Sequence, residues 1–402
     1  METIALKNGL EVIFDDAPEV EIVACSVFLT GGSAVEPVPG ITTLSLKTGF
    51  KRSALRASQD FYISLEKHST SFVSDVSCDY ATVRFQATAE GLRETFSLFL
   101  ETAENPDFSE ESFKTEKSTL LAAIKSRLEN PFLLAYEKLM SITYGNTPYQ
   151  FPVYGTEKSV QSINRQEAKN YFKKLVFPRK TVFSFCGKLS ESDKTFIVNT
   201  LEELEAKESK EVTFRSQIKE DRFETVVRRG SAQSFIMMAL NAPSAFSPEY
   251  EAFKLLNAIL GEGIGSVLFQ ELREKRGFAY STGSLFPTRK SDGRIFLYIG
   301  TMPEKEQEAL KEMRKIVENL PDFITEEGVK RAKEYIKGSY LMELETRSKR
   351  SWHRGFWKIL SHPPNYDETF IEKILTLNLE TLRESAGKIS QSPKHVVVVK
   401  NG

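Results

Sequence analysis

An internal echo constrains this chain more than any other feature. Glu104-Asn105-Pro106-Asp107-Phe108 returns as Glu318-Asn319-Leu320-Pro321-Asp322-Phe323, and each copy is followed by glutamates and a long helical pattern. An offset of about 215 residues is far longer than the period of solenoid repeats, so the echo predicts two duplicated domains rather than an array. A length of 402 residues also exceeds what one ordinary core organises.

The flanking patterns run in the same order in both halves. In the first, Val23, Cys25, Val27 and Leu29 share one face of a strand by the period-two rule, as do Ala81, Val83, Phe85 and Ala87. A helix with Leu92, Phe96 and Phe99 follows, then a long helix from near Ser109 with a stripe of Phe113, Leu120, Ile124 and Leu128. A buried strand at Val182 to Phe185 closes on Gly187. The second half gives a strand at Phe235 to Leu240, a helix with Phe253, Leu256 and Ile259, and a strand at Ile295 to Ile299. A helix with Leu310, Met313 and Val317 and a last strand at Val396 to Val399 complete it. The polar stretch Glu202 to Asp221 reads as a linker, or as an exposed helix end plus an edge strand. These patterns predict an α+β fold of two homologous domains, 1-207 and 208-402, each a mostly antiparallel sheet covered by helices.

Charge and composition remove several function classes. Lys+Arg (54) nearly balances Asp+Glu (55), so nothing draws the chain as a whole to nucleic acid or anionic lipid. No run approaches the roughly 20 apolar residues of a membrane span, and a soluble protein is expected. The opening Met1 to Asp15 lacks the pattern of a signal peptide, and the compartment stays open: cytoplasmic, or periplasmic if a leader was removed. Cys25, Cys78 and Cys186 are far apart with no Cys-x-x-Cys, which predicts buried thiols. Gly261-Glu262-Gly263-Ile264-Gly265 follows a helix and lacks a P-loop Lys-Ser/Thr, so it reads as a turn. Arg347 to Lys358, with Trp352, Phe356 and Trp357, reads as a helix packing its aromatics inward while its basic groups reach water.

Several segments, in order, carry a family resemblance. They are Leu6-Lys7-Asn8-Gly9-Leu10, Gly31-Gly32-Ser33-Ala34-Val35-Glu36-Pro37, Pro148-Tyr149 with Gly155-Thr156, and Tyr171-Phe172 with Pro178. The longest is Leu268-Phe269-Gln270-Glu271-Leu272-Arg273-Glu274-Lys275-Arg276-Gly277-Phe278-Ala279-Tyr280-Ser281. Together they resemble the inverted-zinc metallopeptidases of the pitrilysin and insulinase type, in the branch similar to mitochondrial processing peptidase. The resemblance implies two similar domains facing each other across a cleft, and pairing of two such chains around a peptide substrate.

That family's chemistry needs His-x-x-Glu-His on a helix, two imidazoles on one face holding Zn²⁺ and a Glu taking a proton from the bound water. By the resemblance, those positions fall on Thr43, Leu46 and Lys47. Of two later glutamates, Glu116 matches the first, and the second, a ligand, falls on Ala123. Lys47 would put a cation where the metal belongs. The only histidines are His68, His353, His362 and His395, none at ligand spacing to another, and they read as surface or capping groups. No cofactor is therefore expected in this chain.

In active relatives an Arg and a Tyr of the second domain serve the peptidase site, and the resemblance places them at Arg273 and Tyr280. A guanidinium and a phenol can hold a substrate carbonyl and the developing oxyanion. By composition alone Arg273 would be one of a solvated run of helix charges, Tyr280 a plain strand residue and Arg276 a surface charge. The expectation is a non-catalytic subunit that pairs with a zinc-bearing homologue and supplies Arg273 and Tyr280 to its site. A structural or peptide-binding homologue is the alternative; no nucleophile and base or cofactor motif supports a different enzyme.

Overall fold

A computed structural model gives the structure and describes residues 1–228, 230 and 233–401. The first half runs β1 (Glu2–Ala5), β2 (Glu11–Asp16), β3 (Ile22–Thr30), α1 (Ile41–Gly49), α2 (Ser58–Lys67), β4 (Val73–Val76) and β5 (Tyr80–Thr88). It continues with α3 (Leu92–Glu104), α4 (Glu110–Glu129), α5 (Pro131–Thr143), α6 (Glu157–Ser162), α7 (Arg165–Leu175), β6 (Val182–Gly187) and α8 (Glu191–Glu202). The second half runs β7 (Arg222–Val227), β8 (Ser234–Ala242), α9 (Tyr250–Gly261), β9 (Ala279–Leu285), β10 (Gly293–Thr301) and α10 (Glu306–Glu318). It ends with α11 (Glu326–Glu343), α12 (Arg347–Ile359), α13 (Tyr366–Thr376), α14 (Leu379–Ser390) and β11 (His395–Lys400).

The strands form two sheets, ordered β1-β2-β6-β3-β5-β4 and β7-β11-β8-β10-β9. Within each, neighbours are antiparallel apart from one pair, β2 with β6 and β7 with β11. From β2 onward the first order therefore repeats in the second, strand for strand, with β1 as the addition. The echoed Asn-Pro-Asp and Asn-Leu-Pro-Asp segments sit at matching places, after α3 and before α4, and after α10 and before α11. The fold is α+β, as the patterns predict. The stretch between Glu202 and Arg222 holds no helix or strand, only a bridge from Lys207 to Pro178.

One face of β3 carries Val23, Cys25, Val27 and Leu29 into a core shared with Leu92, Phe96 and Phe99 of α3. Its other face is equally dry, with Ala24, Ser26 and Phe28 at 1% exposure or less. A helix of the second half covers it. Ser351 of α12 meets Ser26 at 2.9 Å, Trp352 packs 6.0 Å from Phe28, and Gly355 lets the helix backbone settle on the Phe28 ring. The basic side of α12 faces acidic groups of the first half: Arg350 clamps Asp15 at 2.8 and 3.2 Å, and Lys358 pairs with Glu11 at 2.6 Å. Arg354, only 8% exposed, also bonds Asp15, so it is a buried partner and does not reach water as the sequence suggests.

The second sheet is covered in the same way by a helix of the first half. Phe132 of α5 packs edge-on at 5.5 Å to Phe235 and 5.2 Å to Tyr298, Tyr136 meets Phe296, and Thr143 reaches His395 at 3.3 Å. The compact units are thus Met1–Lys125, Phe151–Val212 and Met342–Asp367 in one, and Ser126–Gln150, Thr213–Leu341 and Glu368–Gly402 in the other. They are not the contiguous stretches 1-207 and 208-402. An antiparallel sheet with two apolar faces needs two covers, and each half keeps only one for itself.

Two smaller readings also change. Leu128 is 40% exposed, because the buried stripe of α4 ends at Ile124. His353 and His395 are buried, not surface groups; His353 Nε2 lies 2.9 Å from a Glu343 carboxylate oxygen. All three cysteines are buried and none is in a disulfide among the described residues.

Gly355→Ala would place a methyl group 2.4 Å from the Phe28 ring, so it should destabilise the protein by about 1–3 kcal/mol despite the better helix propensity of alanine. Gly338→Ala, on α11 with open space around it, should instead stabilise by about 0.4–1 kcal/mol. Chemical denaturation of both variants checks the pair; equal effects would mean that the α12 contact with β3 is not tight.

Candidate functional site

The segment that resembles a zinc helix begins with a cap. Glu36 in the Gly-Ser loop turns both carboxylate oxygens on the start of α1, accepting from Gly40 N at 2.8 Å and Thr42 N at 3.1 Å. These are orphan donors of a helix N-terminus, where a carboxylate also meets the positive end of the helix dipole. Burial pushes the Glu36 carboxyl up to about 7, against the backbone donors that pull it down. Gly40 takes φ 91°, and a β-carbon there would lie 2.6 Å from the Tyr154 carbonyl. The loop therefore has a structural task independent of any metal.

Along α1 the chemistry of the side chains does not suit zinc. Thr43 is buried and donates its hydroxyl to Val153 O at 2.6 Å. Leu46 is fully buried in the core. Lys47 is half-buried on the wall of a cavity of about 340 Å³, with Phe50, Lys51, Phe72 and Glu116 also on that wall. Glu116 of α4 is held by Lys51 at 2.9 Å. Ala123, two turns further along α4, offers only a methyl group. The wall thus carries two ammonium groups and one carboxylate, the reverse of the anionic or imidazole donor set that binds Zn²⁺. Among the described residues no three His, Cys, Asp or Glu side chains gather as a metal site would require. The residues present do not fit the metal that the resemblance implies.

In the other unit, the segment with the longest resemblance folds as an unusual helix. Phe269–Glu274 is a π-helix, with Lys275 N bonded five residues back to Gln270 O at 3.0 Å. π-turns recur at functional sites because they re-aim side chains out of the α register. Leu268 and Leu272 anchor it in the core at 0% exposure. Gly277 then takes φ 62° and turns the chain into β9, as expected of a residue free of the β-carbon clash.

This turn brings Arg273 and Tyr280 together. The exposed Arg273 guanidinium lies 5.1 Å over the Phe269 ring, and Nη1 donates to the Tyr280 carbonyl at 3.2 Å. Tyr280 is 54% exposed, and its hydroxyl has no partner among the described residues. Arg276 is not a plain surface charge: it bridges Glu271 at 2.8 Å and Glu312 of α10 at 2.7 Å, pinning the π-helix to its neighbour. Spacing in sequence could not reveal that bridge or the Lys51–Glu116 pair, since each joins elements far apart in the chain.

Two family profiles cover most of the chain. Residues 11–157 match "Insulinase (Peptidase family M16)" and residues 162–336 match "Peptidase M16 inactive domain". The chain is similar to the uncharacterised zinc protease YmxG of Bacillus subtilis, 24% identical over 95% of this chain and 94% of that protein. It is also similar to the non-peptidase homolog YmxG of Helicobacter pylori, 25% identical over 80% of this chain and 74% of that one. The crystal structure of a peptidase M16 inactive domain from Pseudomonas fluorescens superposes with a TM-score of 0.91 at 22% identity, covering 100% of this chain and 98% of that one. With matching sheets, matching order and profiles over both halves, this chain belongs to the M16 (insulinase) peptidase family.

Proposed function

We propose that this chain is a non-catalytic subunit of a heterodimeric zinc peptidase. It pairs with a zinc-bearing homologue and supplies Arg273 and Tyr280 to the hydrolysis of a peptide held by that partner. The name of the Helicobacter pylori relative, a non-peptidase homolog, supports the first part. The donor set of α1 and α4 supports it independently, because a metal would displace neither Lys47 nor the Lys51–Glu116 pair cheaply.

The second part rests on one observation: Tyr280 keeps its hydroxyl unpartnered and exposed beside a guanidinium that is already braced. With 54% of its surface in water, Tyr280 contributes less to the fold than a buried aromatic does. Arg273 is held at two points, by the Phe269 ring and the Tyr280 carbonyl, with donors to spare. A phenol and a guanidinium so placed suit a carbonyl oxygen on which charge develops, and need little reorganisation when it does. In this reading Arg273 and Tyr280 touch the substrate, while Phe269 and Gly277 position them.

Metal analysis of the purified, tag-free chain should find no stoichiometric zinc; one tightly held zinc per chain would overturn the non-catalytic assignment.

The chain alone should not cleave peptides, and mixing it with its zinc-bearing homologue should raise turnover above that of the homologue alone. In that complex, Arg273→Ala and Tyr280→Phe should each lower kcat/KM by roughly tenfold to a thousandfold, the range for one oxyanion-type donor, with assembly intact. Glu274→Ala, an exposed position on the same π-helix, is the matched control and should leave turnover nearly unchanged. Full activity in both Arg273 and Tyr280 variants would instead indicate a structural or peptide-binding homologue.

A further inference from the structure

Lys47 is the one residue of α1 that is not buried. The helical spacing continues past the end of α1, where Phe50 N bonds Leu46 O at 2.9 Å, so Lys47, Phe50 and Lys51 share one side at i, i+3 and i+4. All three line the cavity of about 340 Å³. On that side the Lys51 ammonium is taken by Glu116 at 2.9 Å. The Lys47 ammonium pairs with nothing among the described residues and stays open to water.

The floor of the cavity is aromatic and fixed by the core. Phe50 stacks 5.4 Å from Phe99, and Phe72 meets the same ring edge-on at 5.7 Å. Its mouth is formed by Tyr62, Ser71 and Val73, all exposed. The hydroxyls of Tyr62 and Ser71 have no partner among the described residues.

This combination limits what the cavity can take. Of the charged groups on its wall, Lys51 and Glu116 neutralise each other, which leaves the positive charge of Lys47. One ammonium beside aromatic rings and free hydroxyls suits a monoanion carried on an apolar group. A dianion such as phosphate gains less, because its second charge meets Glu116. The volume, about 340 Å³, is at the small end of ligand pockets.

We infer that this cavity binds a hydrophobic carboxylate, with the Lys47 ammonium on the carboxylate and the apolar group lying on Phe50 and Phe72. Small aryl or alkyl acids carry such a group, and so does the C-terminus of a peptide that ends in an apolar residue. The cavity lies within the first unit, and the inference rests neither on a zinc-bearing partner nor on Arg273 and Tyr280.

Calorimetric titration of the purified full chain at low ionic strength, with hydrocinnamate and separately with the peptide acid N-acetyl-Ala-Ala-Phe, tests this. Saturable one-to-one binding of at least one acid is expected. The corresponding amide, which keeps the apolar group and loses the charge, should bind at least about tenfold more weakly. Tighter binding of the peptide would assign the ligand as a peptide C-terminus, and equal or tighter binding of hydrocinnamate as a small acid. Lys47→Met keeps most of the stem and removes the ammonium, so binding should weaken by about tenfold or more. Glu116→Gln removes the opposing charge and releases Lys51, so binding should tighten by about threefold to tenfold, a gain that a misfolded variant could not give. Binding of neither acid, equal binding of acid and amide, or an affinity that Lys47→Met leaves unchanged would overturn the inference. So would weaker binding by Glu116→Gln.

Discussion

The packing of α12 on β3 is the contact on which the first unit depends. Phe28, Ser26 and Ala24 form a second apolar face on a strand whose first face is already filled by α3. Leaving that face in water would forfeit roughly 25 cal/mol for each Å² of apolar surface exposed. It would also expose Asp15, which the arginines of α12 neutralise at the sheet edge. The glycine at 355 and the small Ser351 set how closely the helix approaches. The second sheet has the same requirement and meets it with Phe132 and Tyr136 of α5. In both units the helix that completes the core comes from the other half of the sequence.

A duplicated fold with this requirement leaves room for divergence at its sites. The Gly-Ser loop serves α1 through Glu36, so it has a task in the fold that needs no metal. Thr43 and Leu46 pack the helix on its neighbours. Lys47 and Lys51 make the cavity wall around Glu116 cationic. The segment from Phe269 to Tyr280 is anchored by Leu268, Leu272 and the Arg276 bridge, while the Arg273 and Tyr280 side chains face water. That exposure is what supports the proposed role for the two residues.

Much of the fold is legible in the residues. Period-two alternation marks β3 and β5, short apolar runs mark β8 and β10, and the i, i+4, i+7 spacing marks α3, because burial imposes these patterns locally. The pairing of Arg273 with Tyr280 is legible in part, since Gly277 signals the turn between them, but the π-register that aims Arg273 is not. Arg294 gave no signal at all: an arginine in a strand reads as an exposed residue, and at the start of β10 it is buried at 1% exposure.

The sequence by itself determined that the chain is a duplication, that each copy is a mostly antiparallel sheet with helices, and that no pair of histidines stands at metal-ligand spacing. These follow from local periods and from which side chains are present. Only the tertiary structure decided which helix covers which sheet, that Lys51 holds Glu116, that Arg276 is a pin and not a free charge, and that Arg294 is buried. Each of these depends on contacts between residues distant in the chain. Such contacts are chosen by the competition among alternative apolar and charged surfaces for cover, and no local spacing records its outcome.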